Sequence, residues 1–226
     1  MMPLKAAGQP EAAAAERTVS ICKKVYIITG ADGFLGSNIV RQLQEDGQAE
    51  IRALLLPGTS LESLDGLKCS LYYGNVCDKD SMKSLFSGLE DSQVSVIHCA
   101  GIVDIKSAYD PNVYYVNVVG TRNIADLTRA ASGRLVYISS VHAIPPLPAG
   151  EVISPVSHYD PNLVRGLYAK TKAAASELVM GKVRNEGLDA VIIQPSGLIG
   201  PWCYGRENLI QFFSLWKSPM KNCRLP

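Results

Sequence analysis

The chain has 226 residues, of which 47% are hydrophobic and 19% charged, and its formal net charge is +1. These values are typical of a globular protein, and the length suffices for one α/β domain with a small appendage. The small net charge argues against an electrostatic nucleic-acid binder, and no apolar run approaches the roughly 20 residues that span a bilayer.

Residues 1–22 and the cysteines bear on cellular location. The first segment includes Glu11 and Glu16 and lacks an apolar h-region, so it resembles neither a signal peptide nor a transit peptide, and we predict a flexible extension. None of the cysteines forms a CxxC pair; they are Cys22, Cys69, Cys77, Cys99, Cys203 and Cys223. Thiols in a reducing compartment are therefore expected, with no metal site and a cytoplasmic location.

A glycine turn, Thr29–Gly36, is the most informative motif for function. It follows the apolar run 25–28 and opens a segment with helical spacing. The residues that share one face of this helix are Phe34, Leu35, Ile39, Val40 and Leu43. Glycine allows close backbone approach, and a helix N-terminus presents free N–H groups to an anion. Strand, turn and helix together predict a dinucleotide site, the alternative being a glycine-rich turn without a ligand.

Strand-like and helix-like segments alternate from residue 24 onward. The predicted strands are 24–29, 50–56, 69–73, 93–99, 134–139 and 188–194, and the predicted helices are 34–46, 80–88, 111–131 and 161–186. Such alternation predicts an α/β fold, a Rossmann-like doubly wound parallel sheet with helices on both faces, over residues 23–201. Residues 144–160 are proline-rich and lack periodicity, which predicts a loop near the carboxyl ends of the strands, where such folds bind ligands.

Tyr168 and Lys172 stand four residues apart on the last predicted helix, so both side chains reach the same face. A lysine cation beside a phenol favours the phenolate and lowers its pKa from the ordinary value of about 10. Such a pair suits a group that gives or takes a proton near neutral pH. The alternative is a solvated surface pair without a function.

The glycine turn has the spacing TGxxGxxG, and further short motifs follow it in order. They are Gly74-Asn75-Val76, His98-Cys99-Ala100-Gly101, Asn117–Thr121, Tyr137-Ile138-Ser139-Ser140, Tyr168–Lys172 and Pro195–Pro201. This ordered set resembles the extended short-chain dehydrogenase/reductases. That NAD-dependent epimerase/dehydratase family includes dihydroflavonol reductases and 3β-hydroxysteroid dehydrogenases.

The resemblance implies an enzyme that transfers a hydride between NAD or NADP and a carbon bearing oxygen, as an oxidoreductase or an epimerase/dehydratase. By the family pattern Tyr168 is the acid/base, and Lys172 holds the nicotinamide ribose and tunes Tyr168. Ser140 polarises the substrate oxygen, and Asn117 helps to hold the active-site helix. The cofactor-binding residues that the motifs imply are Gly30, Asp32, Gly33, Phe34, Leu35, Gly36, Asn75, Val76, Ala100, Gly101, Tyr168, Lys172, Pro195, Gly197 and Leu198.

Ser139 and Ser140 end a buried strand, and because side chains alternate along a strand, one of the two points into the site. The family pattern selects Ser140. His98 ends another apolar strand, and no second ligand has suitable spacing for a metal, so we predict a hydrogen-bonded histidine beside the cofactor. His142 and His158 are candidates for substrate contact.

The choice between NAD and NADP stays open in the sequence. NAD-binding proteins of this fold usually carry an acidic residue at the end of the second strand, and here that region is Leu54-Leu55-Leu56-Pro57. Glu50 lies at the wrong end of this strand. Arg52 lies inside the strand, and the sequence does not decide to which face its side chain points. No basic residue is present there for an NADP phosphate. Asn75 stands where the family often has aspartate beside the adenine, and asparagine can still accept a hydrogen bond.

The resemblance also implies a substrate domain after Pro201, whereas residues 202–226 lack a periodic pattern and are predicted to be a remnant of it. We expect a shortened protein whose lost sheet edge causes low solubility or self-association, for example as a homodimer. The expected partner is a small-molecule substrate, with no nucleic acid and no membrane span. The alternatives are a catalytically inactive dinucleotide-binding regulator or truncated fragment, and a structural interaction domain.

Overall fold

The structure is a computed structural model that describes residues 22–104, 110–148 and 150–202. Its strands are β1 (Lys23–Thr29), β2 (Glu50–Leu55), β3 (Ser70–Tyr73), β4 (Ser92–His98), β5 (Arg134–Ile138) and β6 (Asp189–Ile193). Within the described residues they form one parallel sheet in the order β3-β2-β1-β4-β5-β6. The predicted doubly wound sheet is confirmed. Its order reverses between β1 and β4, and open sheets bind ligands at the carboxyl ends of their strands beside such a point.

The helical segments differ from the predictions in type more than in place. They are α1 (Phe34–Gln44), α2 (Pro111–Tyr114), α3 (Thr121–Ala130) and α4 (Leu167–Glu186), with a π turn at Tyr115–Gly120 and 3₁₀ turns at Glu62–Leu64, Asp80–Phe86 and Val141–Ala143. The segment predicted at 80–88 is a 3₁₀ helix over Asp80–Phe86, and its first N–H groups are satisfied by polar side chains. Asp78 Oδ1, for example, accepts hydrogen bonds from the N–H groups of Asp80 and Ser81.

The helix predicted to begin at residue 161 begins at Leu167. Asp160 turns the chain first, since its carboxylate accepts a hydrogen bond from the Asn162 N–H at 2.8 Å. Gly166 then has a φ of +88°, a left-handed value that a helix cannot contain. Tyr168 therefore lies in the first turn of α4, close to the loop that precedes it.

Apolar side chains are buried on both faces of the sheet. Ile27 and Ile28 are adjacent in β1 and enter opposite clusters, because side chains alternate along a strand. Ile124 of α3 packs in the first cluster and Val40 of α1 in the second. Helices on both faces thus leave the carboxyl ends of the strands as the place where polar side chains collect.

The edge of the sheet and the two ends of the chain concern the predictions on self-association, the N-terminal extension and the C-terminal tail. β6 lies at one edge of the described sheet, and its Val191 and Ile193 are 47% and 45% exposed. Self-association, a homodimer and a cytoplasmic location stay predictions. The predicted extension up to residue 21 and the predicted tail from residue 203 lie outside the described residues. No helix within the described ranges is long and apolar enough to cross a membrane.

Candidate active site

Close backbone packing explains the glycines between β1 and α1. Gly30 has a φ of +63°, and a Cβ there would lie 2.9 Å from the backbone of Ala100. A Cβ on Gly36 would lie 2.8 Å from the Cα of Ala31. Any larger residue at position 36 would therefore keep α1 from packing this closely against the turn. Gly33 precedes α1 in extended backbone and offers no capping side chain. The turn therefore leads directly into a helix N-terminus, which fits the pyrophosphate of a dinucleotide.

Lys172 is buried beside the carboxyl end of β5, with 5% of its surface exposed. Its Nζ donates a hydrogen bond to the carbonyl of Ile138 at 2.8 Å and lies 5.2 Å from the centre of the Tyr137 ring. Burial lowers the pKa of Lys172 to about 8, because a buried site disfavours the charged form. The fold thus keeps an amine of reduced basicity inside the site.

The Tyr168 phenol has Ser140 as its polar neighbour. Burial raises the pKa of Tyr168, and a hydrogen bond with the Ser140 side chain opposes that rise. The prediction that Lys172 lowers this pKa is wrong, because burial raises it and the opposing hydrogen bond comes from Ser140. The Tyr168 ring also lies 6.3 Å, centre to centre, from the ring of His142.

Ser139 and Ser140 make different contacts at the end of β5. The Ser139 hydroxyl lies 2.7 Å from the hydroxyl of Ser176 on α4, and both are buried. The Ser140 hydroxyl accepts a hydrogen bond from the His142 N–H at 3.2 Å and lies beside Tyr168. The two hydroxyls thus have different partners, as alternation of side chains along the strand predicts. The structure thus places Ser140, the serine that the family pattern selects, next to the phenol.

Asn117 joins the loop after β4 to α4 from within the π turn. Its Oδ1 accepts a hydrogen bond from the Ile102 N–H at 2.8 Å, and its Nδ2 donates to the Ile102 carbonyl at 3.0 Å. The same Nδ2 donates to Thr171 Oγ1 at 3.0 Å, and that hydroxyl donates to the Tyr168 carbonyl at 2.9 Å. Asn117 is 1% exposed. Its side chain therefore connects the loop that carries Ile102 to the first turn of α4.

A buried hydrogen-bond chain runs through His98. Thr29 Oγ1 accepts from the Ala100 N–H at 3.1 Å and lies 2.7 Å from Nδ1 of His98. Thr121 Oγ1 donates to the Asn117 carbonyl at 2.6 Å and lies 3.0 Å from Nε2. Because the Thr121 proton is used on Asn117, Nε2 carries the ring proton and Nδ1 accepts from Thr29. Burial lowers the pKa of His98 to about 3, so the ring is a neutral link, as a satisfied histidine should be.

Ser140, Tyr168 and Lys172 line a cleft of about 690 Å³ at the carboxyl ends of the strands. The predicted site residues that line it are Phe34, Leu35, Gly101, Ser140, Tyr168, Lys172, Pro195, Gly197 and Leu198. Cys99, Val103 and Val141 line it too, although their local pattern does not distinguish them from core positions. Apolar walls around a few convergent polar groups are typical of a small-molecule site.

Other predicted residues lie outside this cleft, toward β2 and β3. Asp32 Oδ2 accepts a hydrogen bond from the Thr59 hydroxyl. Asn75 and Val76 follow β3, where the Asn75 Oδ1 accepts from the Cys77 N–H at 2.9 Å. This second part of the site lies where the adenosine half of a dinucleotide would fit.

The two other histidines differ in position. His142 lines the cleft. His158 lies 3.0 Å from the Glu177 carboxylate and is not among the residues that line the cleft. His142 therefore stays a candidate for substrate contact, whereas the position of His158 does not support such a role.

Most of the chain matches the sequence profile of a known protein family. The profile of the NAD dependent epimerase/dehydratase family matches residues 26–217. The chain belongs to this family. The matched range contains the glycine turn, both serines, Tyr168 and Lys172, so the predicted resemblance is confirmed.

Relatives within this family extend the comparison. The chain is 33% identical over 188 residues to sterol demethylase protein B of Methylococcus capsulatus, covering 81% of this chain and 54% of the relative. It is 33% identical over 190 residues to mouse 3 beta-hydroxysteroid dehydrogenase type 7, covering 78% and 50%. The chain thus spans about half the length of these curated relatives.

A solved structure shares the fold. The dTDP-glucose 4,6-dehydratase of Bacillus anthracis, in complex with NAD, superposes with a TM-score of 0.69 at 19% identity. The superposition covers 86% of this chain and 62% of the other. At that identity the likeness concerns the fold alone.

The Lys172→Met variant is expected to be more stable than the wild type at pH 7. Burial lowers the pKa of Lys172 from 10.5 to about 8, so the unfolded chain binds more protons between these values and stability rises with pH across this window. Below pH 8 the buried charge costs on the order of 3 kcal/mol, which the hydrogen bond to Ile138 offsets by about 1–2 kcal/mol. We expect Lys172→Met to gain about 1 kcal/mol at pH 7 in urea unfolding and to lose this gain near pH 10.5.

The matched control for this experiment is Lys170→Met, on the exposed side of α4. It should change the free energy of unfolding by no more than about 0.5 kcal/mol at either pH, as surface substitutions do. A Lys172→Met variant that is less stable than the wild type at pH 7, or whose advantage grows with pH, would contradict the prediction.

Proposed function

We propose that residues 23–201 form the cofactor-binding and catalytic part of an NAD(P)-dependent enzyme that transfers a hydride to or from a carbon bearing oxygen. The observation that carries this proposal is the convergence of Ser140, Tyr168 and Lys172 on one cleft beside the glycine turn. A protein that merely senses a dinucleotide needs none of these three side chains. Their convergence supports the enzyme over the regulator.

The residues of the chain divide the work of catalysis. NAD(P), when bound, supplies or accepts the hydride. The Tyr168 hydroxyl gives a proton to the substrate oxygen in reduction and takes one in oxidation. The Ser140 hydroxyl donates a hydrogen bond to the same oxygen and stabilises the negative charge that develops there. Lys172 holds the ribose next to the nicotinamide, as in the family pattern.

The backbone around Lys172 fits a cofactor that approaches closely. A Cβ on Gly101 would lie 3.2 Å from Asn117 Oδ1 and 3.4 Å from Lys172 Nζ. A larger residue at 101 would therefore fill the space beside the amine. Together with the glycine turn, this position supports a dinucleotide that runs from the N-terminus of α1 to Lys172, with Pro195–Leu198 as a wall at the nicotinamide end.

The walls of the cleft favour an apolar substrate. Val103, Val141 and Leu198 line it around Tyr168, and His142 is a polar side chain among them. The two curated relatives are named for a sterol and a hydroxysteroid. We therefore propose a cyclic alcohol or ketone of sterol type as the substrate class, ahead of a nucleotide sugar.

A panel assay tests the proposed function. The full chain would be titrated with NADH and NADPH by fluorescence and then incubated with steroid ketones, dihydroflavonols and nucleotide sugars. Net oxidation of the nucleotide with a cyclic ketone is the expected result. Turnover of a nucleotide sugar without net oxidation would identify an epimerase or dehydratase instead. Tight binding with no turnover would favour the regulator, and no dinucleotide binding would overturn the proposal.

A further inference from the structure

The two charged residues of β2 are engaged away from its carboxyl end, where this fold usually reads the adenosine ribose. Glu50 lies at the start of the strand and pairs with Lys23 at 2.5 Å and with Arg52 at 2.6 Å. Arg52 is 5% exposed and donates to the carbonyls of Leu85 and Ser87. Neither residue is placed to recognise a ribose. Any charged group that does so comes from another element.

Asp32, on the glycine turn, places a carboxylate beside the loop that follows the carboxyl end of β2. The Oδ2 of Asp32 accepts a hydrogen bond from the Thr59 hydroxyl at 2.5 Å. The Asp32 carbonyl accepts one from the Ser63 hydroxyl at 2.8 Å. Thr59 and Ser63 both lie between β2 and β3. Asp32 therefore joins the turn that fits a pyrophosphate to the loop after β2, and these are the two elements that flank an adenosine ribose in this fold.

We infer that Asp32 selects NAD over NADP, in place of the acidic residue that β2 lacks. The 2′-hydroxyl of NAD can donate a hydrogen bond to a carboxylate, whereas the 2′-phosphate of NADP presents negatively charged oxygens. Like charges at such short range repel each other, and a partly buried setting screens them less than bulk water does. The inference rests on the proposed function because it needs a bound dinucleotide, but it does not depend on hydride transfer.

Arg41 is the cation that contacts the same loop. Its guanidinium donates to the Ser63 carbonyl at 2.9 and 3.2 Å and lies 4.5 Å from the centre of the Trp202 ring. These contacts hold the Arg41 guanidinium against the loop backbone and Trp202. The carboxylate of Asp32, by contrast, lies on the glycine turn that fits the pyrophosphate. A phosphate site built on Arg41 is the competing outcome of the test.

Calorimetric titration of the full chain with NAD and with NADP tests the inference without any catalytic readout. The wild type should bind NAD at least about tenfold more tightly than NADP. Asp32→Asn keeps an oxygen for Thr59 and removes the charge, so it should shrink this ratio at least about fivefold, mainly by tightening NADP. The wild-type ratio should also fall as salt is raised, because salt screens repulsion, while the ratio of the variant stays flat.

The control is Asp65→Asn, which removes an exposed carboxylate from the same loop and should leave the ratio unchanged. Equal affinities in the wild type, or an unchanged ratio in a folded Asp32→Asn, would overturn the inference. Preferential NADP binding that Arg41→Gln abolishes would overturn it in favour of Arg41. If Asp32→Asn fails to fold, the wild type decides by its affinity for ADP against 2′-phospho-ADP at low and high salt. Failure to bind either dinucleotide would overturn the proposed function instead.

Discussion

Replacing Tyr168 by phenylalanine is expected to lower kcat by about 10²–10⁴-fold, the usual contribution of a positioned acid or base. The variant keeps the ring beside His142 but has no proton to give. It also loses the hydrogen bond between the Tyr168 phenol and Ser140, which in the wild type opposes the rise of the Tyr168 pKa. The measurement is steady-state turnover of whichever carbonyl compound the panel assay identifies, with the affinity for NADH measured in parallel.

The affinity for NADH should change by no more than about threefold in Tyr168→Phe, since the phosphates and the adenosine are bound elsewhere. Tyr114→Phe is the matched control, because Tyr114 is 41% exposed on α2 and does not line the cleft. It should retain full activity. Turnover in Tyr168→Phe within a few-fold of the wild type would remove Tyr168 from the mechanism. Equal loss of turnover and of NADH binding would point to a structural role.

Replacing Asn117 by alanine is expected to lower the free energy of unfolding by about 3 kcal/mol or more. The change leaves the N–H and carbonyl of Ile102 without their side-chain partner and removes one of the two hydrogen bonds of the Thr171 hydroxyl. It also disconnects the loop that carries Gly101 from α4, so KM for NADH should rise along with the loss of stability. Urea unfolding and steady-state kinetics measure the two effects.

Asn123→Ala provides the comparison for this second experiment. The Asn123 side chain donates one hydrogen bond, to the Val76 carbonyl at 2.9 Å, so its removal should cost about 1 kcal/mol. KM for NADH should rise less in this variant than in Asn117→Ala. An Asn117→Ala variant that is no less stable than Asn123→Ala would show that the buried amide does not join the two segments as the structure indicates.

Local patterns were sufficient to locate the strands along the chain and to find the glycine turn. The apolar run 25–28 and the helical spacing of α1 are properties of short segments, so they can be read along the chain. The helix boundary at Leu167 could not be read in this way. It depends on the Asp160 turn and on the positive φ of Gly166, which interrupt a segment that otherwise has helical composition.

Contacts in the candidate site depend on the order of the strands in the sheet. Thr29 and His98 are far apart in sequence, and they meet because β1 and β4 are neighbours with these two residues in register. The buried chain from Ala100 to Asn117 follows from that pairing. For the same reason the sequence predicted a satisfied histidine but could not name its two threonine partners.

The sequence by itself determined the fold class, the family and the residue types of the candidate site, because these are carried by short motifs in a set order. The tertiary structure decided where their polar atoms point. It directs the Lys172 ammonium to the Ile138 carbonyl, buries the Arg52 guanidinium against the carbonyls of Leu85 and Ser87, and brings Asp32 to the loop after β2. Each of these outcomes depends on a partner that is distant in the chain and close in the fold, which local spacing does not encode.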